Sequence, residues 1–405
     1  MDTLTKPISA PRRRTTADTV YPILLLVSVT HLLNDMMQSV IPAVYPLLKA
    51  KFGFSFAQIG LITLVFQMTS SILQPFVGRY ADRHPRPYSL AAGMCFTLAG
   101  LFALALAPGF APILLAVALI GWGSSIFHPE SSRVAQLASG GRKGLAQSIF
   151  QVGGNAGSAF GPLLAALVVI PYGQTSIMWF APAALLAIGI LLRIGNWYKR
   201  QLNAATAAPV TATAAAAELP RRKIRRALLI LTVLVFSKYF YIACMTNYFT
   251  FFLMDKFAFS VQDAQYSLFA FLAASAAGTV IGGPLGDRIG RKYVIWGSIL
   301  GAAPFTLMLP YANLACTIVL AVVIGLVISS AFSAILVYAT DLMPGKVGMI
   351  AGLFFGLMFG LGGLGSAFFG WLADRTSIEF IFRVSALLPL MGIITGFLPD
   401  VERKR

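Results

Sequence analysis

The sequence predicts an all-α integral membrane protein of twelve transmembrane helices, built as two six-helix halves. Three observations predict it: too few charges to clothe a soluble surface, apolar stretches of spanning length along nearly the whole chain, and a charged loop motif that occurs once in each half. Of the 405 residues, 58% are hydrophobic and only 11% charged, against roughly 25% charged in ordinary soluble domains. Mean hydropathy is +0.79. Each apolar stretch can cross a hydrocarbon core of about 30 Å as a helix. Lipid leaves backbone groups no partner outside their own segment, so helix is the form such a segment takes.

Turn signals and charges divide the chain into spans in order. The first runs near 20–44 and is followed by Lys49 and Lys51; the second runs near 57–78 and is followed by Arg79, Arg83 and Arg86. The third and fourth fall near 88–107 and 111–137, with Arg142 and Lys143 after the fourth, and the fifth and sixth near 145–170 and 177–195. An Ala/Thr/Pro stretch at 196–225, which ends in Arg221, Arg222, Lys223 and Arg225, has no apolar face to pack and reads as a flexible linker. A second six follow near 226–254, 263–286, 292–311, 314–340, 347–373 and 379–399. The expected organisation is thus a tail at 1–19, a bundle at 20–195, the linker at 196–225, a bundle at 226–400 and a tail at 401–405.

Charge sets the expected orientation. With both ends in the cytoplasm, about 25 of the 31 Lys and Arg face inward. The first eighteen residues, with Arg12, Arg13 and Arg14, read as a retained cytoplasmic tail: the apolar run behind them is too long and too polar in its middle for a signal peptide.

The same observations exclude several functions. A net charge of +17 is compatible with nucleic-acid binding, but these cations sit in short loops between apolar runs rather than on a basic face. Cys95, Cys244 and Cys316 are odd in number and lack paired spacing, so neither a disulfide framework nor a metal site follows. There is no GxxxxGK[ST] loop for an ATP-driven pump and no GxSxG nucleophile. His31, His84 and His128 do not have metal-ligand spacing, and no cofactor is expected.

Ionisable side chains inside spans cost about 2.5–3.5 kcal/mol each on insertion scales and default to function. Asp35 lies about fifteen residues into the first span, roughly 22 Å along it. His31, Asn34 and Gln38 share its face. In the fourth span His128, Glu130 and Arg133 lie within two turns of one another around Pro129. Gln147, Gln151 and Asn155 recur every four residues in the fifth span, and Lys238 stands about twelve residues into the seventh, with Tyr241 and Tyr248 on nearby turns. Lys238, with one or more of Arg133, His31 and His128 and lined by Gln38, Gln151, Asn155 and Tyr241, suits an anionic ligand. Asp35, Glu130 or His128 can carry a proton between two environments. Structural readings stay open: Asp35 as an interhelical hydrogen-bond partner, Glu130 with Arg133 as a static pair, a snorkelling Lys238, and the glutamine face and His31 as packing glue.

Repeats tie the halves together. Gly78 to Arg86 (GRYADRHPR) follows the second span and Gly283 to Lys292 (GPLGDRIGRK) the eighth, about 205 residues on. Gly157 to Gly161 (GSAFG) in the fifth span is echoed by Gly365 to Gly370 (GSAFFG) in the eleventh. The second loop reproduces the GxxxDRxGR[RK] signature of the major facilitator superfamily, which the chain therefore resembles. The first copy keeps Gly78, Asp82, Arg83 and Arg86 but has Pro85 and Pro87 where Gly and a basic residue are usual. The resemblance implies a conformational switch at Gly78, Asp82, Arg83, Gly283, Asp287, Arg288 and Arg291. Physically, a carboxylate near a neighbouring helix's N-terminus is favoured by that helix's dipole.

Gly157, Gly161 and Pro162 resemble the antiporter signature of the superfamily's drug-efflux members, although Ala165 and Ala166 replace the Gly pair usual after it. The stretches around His31 to Gln38, Gly123 to Arg133, Phe150 to Asn155 and Ser237 to Tyr241 resemble its bacterial phosphonate-antibiotic exporters, over nearly all of the chain after the tail. This resemblance implies a monomeric, proton-coupled secondary transporter in the bacterial inner membrane that exports fosmidomycin-like phosphonates or another small organic anion by alternating access. Proton-coupled uptake of an organic anion by the same fold is the alternative.

Overall fold

The computed structural model describes residues 18–140, 142–205, 220–343 and 347–399. Twelve helices among them are long and apolar enough to cross a membrane. The main α-helical segment of each span is numbered α1 (Tyr21–Ala43), α2 (Phe56–Arg83), α3 (Ser89–Leu106), α4 (Phe110–Leu137), α5 (Lys143–Leu164), α6 (Ala181–Ala205), α7 (Arg221–Phe257), α8 (Val261–Ile289), α9 (Arg291–Met308), α10 (Leu314–Ser329), α11 (Val347–Arg375) and α12 (Ile378–Ser385), the tenth span running on to Ala339 and the twelfth to Phe397. Short helical pieces extend several of them: Tyr45–Phe52 continues α1, Ala331–Leu342 continues α10, and Leu388–Phe397 carries the last span onward.

Local chemistry sets the ends. Ser55 and Gln58 form a reciprocal capping box at the start of α2, and Ser260, Asn313 and Ser377 cap α8, α10 and α12 with their side-chain oxygens. Gly290, at a φ of +99°, turns the chain between α8 and α9, a conformation that a residue with a Cβ rarely adopts. Large apolar side chains such as Ile72, Leu115, Leu185, Val319 and Ile393 point outward and exposed, as a lipid-facing surface requires.

Within the first half α1 lies along α5 and α4 packs against α2 and α3; in the second, α8 packs on α10 and α7 on α11. Two seams join the halves, α2 along α11 and α5 along α8. Gly153, Gly157 and Gly161 form a stripe on α5 against α1, where an added Cβ would collide with Ser28, Leu32 and Ser39. Small residues there let the two backbones touch.

The helices run further than the apolar stretches. The segment read as a flexible linker is helical at both edges, since α6 continues to Ala205 and α7 begins at Arg221; 206–219 lie outside the described residues. The helix continues because Lys199, Arg200, Gln201 and Leu202 are good helix formers and Trp197, Tyr198 and Leu202 pack on the core. The tails at 1–17 and 400–405 also lie outside the described residues.

Twelve spans return the chain to the end of the bundle where it starts. At the opposite end, hydrogen bonds cross between the halves. Asp374, at the close of α11, accepts the backbone N–H of Phe56 at 2.8 Å and of Ala57 at 2.7 Å. Gln265 donates to the Ala43 carbonyl at 2.8 Å, and Thr63 donates to Asn247 at 2.9 Å while bonded to Tyr45 at 2.6 Å.

Candidate functional site

Between the halves lies a cavity of about 320 Å³, lined from α1, α2, α4, α5, α7, α8, α10 and α11. Polar groups from both halves face into it from a largely apolar wall, which is how small-molecule sites are built.

The first half supplies a His–Asp–His cluster. On α1, His31 stands one turn before Asp35, so the two side chains share a face, with Nε2 3.2 Å from Asp35 Oδ2. His128 reaches the other carboxylate oxygen from α4, with Nε2 3.4 Å from Oδ1. The His31 ring stacks on Phe150, with centroids 4.0 Å apart. Its Nδ1 donates to the Phe150 carbonyl at 2.8 Å, and His128 Nδ1 donates to the Ser124 carbonyl at 3.0 Å. Asn34 donates to Asp35 Oδ1 at 3.0 Å. Gly154 leaves room for this arrangement, since a Cβ there would strike the His31 ring. His31, Asp35 and His128 are also the described residues whose donor atoms gather closely enough, within 4.8 Å of one another, to hold a metal ion.

The second half faces this cluster with Lys238, on α7, which is 1% exposed. Its ammonium lies 5.5 Å from the Tyr239 ring centre and 5.9 Å from that of Phe332, within cation–π range, and has no hydrogen-bond partner among the described residues. The Gln38 and Asn155 amide nitrogens and Gln67 Oε1 are likewise buried and without partners there. Unmet polar groups in an oily interior cost about 1–3 kcal/mol each. A ligand that meets several at once recovers that cost.

Asp35, His31, His128, Gln38, Gln151, Asn155, Pro162 and Lys238 therefore share one cavity. Glu130 and Arg133 do not line it: Glu130 is 1% exposed, accepts from Ser89 at 3.4 Å, and lies 3.9 Å from Arg133. Tyr241 is buried beside the cavity wall without lining it. Gly157 and Gly161 serve the α1–α5 contact.

Of the switch residues, Gly78, Asp82 and Arg83 fall at the end of α2 and Gly283 and Asp287 in α8, with side chains outside the described residues. Arg288 is exposed, and Arg291 pairs with Asp341. Asp341 was not anticipated from the sequence. Neither were Gln67 and Gly154 as site residues, although a lone amide inside an apolar span is the kind of signal that marks the first.

Residues 27–264 and 232–405 match the family model of the Major Facilitator Superfamily. The chain is 58% identical over 400 residues to the Fosmidomycin resistance protein of Escherichia coli (strain K12), covering 98% of each chain. It is 42% identical over 403 residues to an uncharacterised MFS-type transporter, YfnC, of Bacillus subtilis (strain 168), again covering 98% of both. Among solved structures, a bacterial homologue of the human lysosomal transporter Spinster, inward-facing and occupied, superposes with a TM-score of 0.72 at 16% identity, over 94% of each chain.

Proposed function

This chain belongs to the major facilitator superfamily, and on that premise we propose that it exports fosmidomycin-like phosphonates across the bacterial inner membrane in exchange for protons. It is a multi-pass membrane transporter rather than an enzyme. In this reading it acts as a monomer with both termini in the cytoplasm. The phosphonate enters the cavity between the halves, the halves rock, and protons arriving from outside reset the cycle. Asp35 and His128 carry the coupling protons at the cavity, with Glu130 as the second carboxylate along α4. Lys238, His31, Gln38, Gln151 and Asn155 bind the anion, with Arg133 and Tyr241 supporting them from outside the lining. Asp82 with Gly78 and Arg83, and Asp287 with Gly283, Arg288 and Arg291, govern switching at the loops.

One observation carries the reading above the others: a fully buried lysine with no hydrogen-bond partner among the described residues lines the same cavity as a carboxylate flanked by two imidazoles. A buried cation of that kind is costly and calls for an anion. Full-length identity to a protein named for fosmidomycin resistance supports the choice of anion.

The test is the fosmidomycin sensitivity of a transporter-deficient host expressing this chain, beside a panel of unrelated drugs. Resistance confined to phosphonates, and lost with Lys238→Ala in protein that still reaches the membrane, is the expected result. Unchanged sensitivity on expression would reject the assignment.

A further inference from the structure

The hydrogen bonds of the two imidazoles determine which of their nitrogens carry hydrogen. His31 Nδ1 faces the Phe150 carbonyl and His128 Nδ1 the Ser124 carbonyl. A carbonyl oxygen only accepts, so an Nδ1 bonded to it holds the hydrogen and the Nε2 of that neutral ring presents a lone pair; His128 Nδ1 also lies 3.2 Å from Ser124 Oγ, a hydroxyl able to accept from it as the carbonyl does. Both lone pairs converge on the Asp35 carboxylate, itself a set of acceptors, at 3.2 and 3.4 Å.

The three donor atoms lie within 4.8 Å of one another, close enough to surround one ion. Both contacts to the carboxylate, each to a different oxygen, are longer than the roughly 2.7–2.9 Å of a charge-assisted N–H to carboxylate bond. The surroundings agree, because imidazoles that ligate a metal typically donate their other ring N–H to a carbonyl or carboxylate. Here both rings donate to carbonyls, and Asn34 holds the carboxylate.

We propose that His31, Asp35 and His128 bind a divalent cation of the zinc class, and that the cation crosses the membrane as a complex with the anionic substrate. Three protein ligands leave a coordination position open, and the cavity lies on that side. A phosphonate oxygen fills the position while Lys238 pairs with the rest of the anion. Gln38, 8% exposed and with an unpartnered amide nitrogen, stands one turn beyond Asp35 to bond the same ligand. Sequence spacing could not reveal this site, because its ligands come from two helices that meet only in the fold.

The inference rests on the transport reading and specifies its cargo. Positive charge added beside a bare anion favours that anion. A cation-borne anion instead competes with protons for the same lone pairs, and competition is what exchange requires.

The test titrates the purified full-length chain in detergent with Co²⁺ and follows visible absorption, which intensifies when cobalt becomes four-coordinate. A single saturable site is expected, its spectrum altered by fosmidomycin. His31→Gln and His128→Gln should each weaken Co²⁺ binding at least 10- to 100-fold, roughly what losing even an outer partner of a ligand costs. Zn²⁺ should protect both histidines of the unmodified chain from diethylpyrocarbonate, read by mass spectrometry, a measurement that needs no variant to fold. Absence of both the cobalt bands and the protection overturns the cation site while phosphonate export stands. Cobalt binding that fosmidomycin leaves unperturbed overturns the complex as cargo. Cobalt binding that responds to fosmidomycin, in a chain that moves no phosphonate, supports the site and rejects both the transport reading and the complex as cargo.

Discussion

Lys238 concentrates the energetics of the cavity into one side chain. Its charge is buried among aromatic rings with no hydrogen-bond partner among the described residues, and in the proposed function the anion supplies those bonds. Hydrogen bonds to charged groups contribute about 1.5–3 kcal/mol. Lys238→Ala should therefore weaken fosmidomycin binding about 10- to 100-fold, measurable by isothermal titration; unchanged affinity would remove Lys238 from the site. Asp35→Asn keeps the shape and removes the charge that both histidines share. It should abolish proton-driven efflux while the protein remains in the membrane, measured as phosphonate movement under an imposed pH gradient. These residues were legible individually, because ionisable groups inside apolar runs are conspicuous. Their convergence was not, since nothing in the spacing of His31 and His128 says that α1 and α4 bring both rings to one carboxylate. Glu130 shows the converse: two residues from His128 in sequence, it turns toward Ser89 and α3 rather than toward the cavity.

Among the helices, the contact of α5 with α1 leaves no room for an added side-chain atom. Gly154 sits under the His31 ring, and any Cβ there must displace it. Overpacking of this kind costs about 1–3 kcal/mol. Gly154→Ala should impair efflux more than it lowers the thermal midpoint, because the displaced ring belongs to the site rather than to the core; a loss of stability with efflux intact would contradict this. At the seam of α2 with α11, Asp374 of α11 caps the first turn of α2 across the halves. Loss of a cap costs about 1 kcal/mol. Asp374→Ala should shift the balance between alternating states about fivefold toward opening at that end, measurable as faster labelling of a cysteine placed at Thr63; equal labelling rates would show that the cap does not latch the halves.

For the whole molecule, the division into twelve spans was legible because burial in lipid demands about 20 apolar residues per helix, and the chain supplies them with charges between. What lies beyond the lipid was less so. Residues 196–205 look like linker but continue α6, since Tyr198 is buried and Asn196 accepts from Tyr88 at 2.8 Å. Pairing between the halves was also out of reach, because the seams α2–α11 and α5–α8 depend on shape rather than on pattern.

The central claim is that this two-bundle cavity moves a phosphonate outward as protons move in. Inside-out vesicles with an acidic lumen test it most directly. Fosmidomycin should accumulate in the lumen as the pH gradient dissipates, and accumulation should cease when the gradient is collapsed beforehand. Accumulation unaffected by the gradient, or loss of preloaded fosmidomycin from the lumen together with protons, would contradict it.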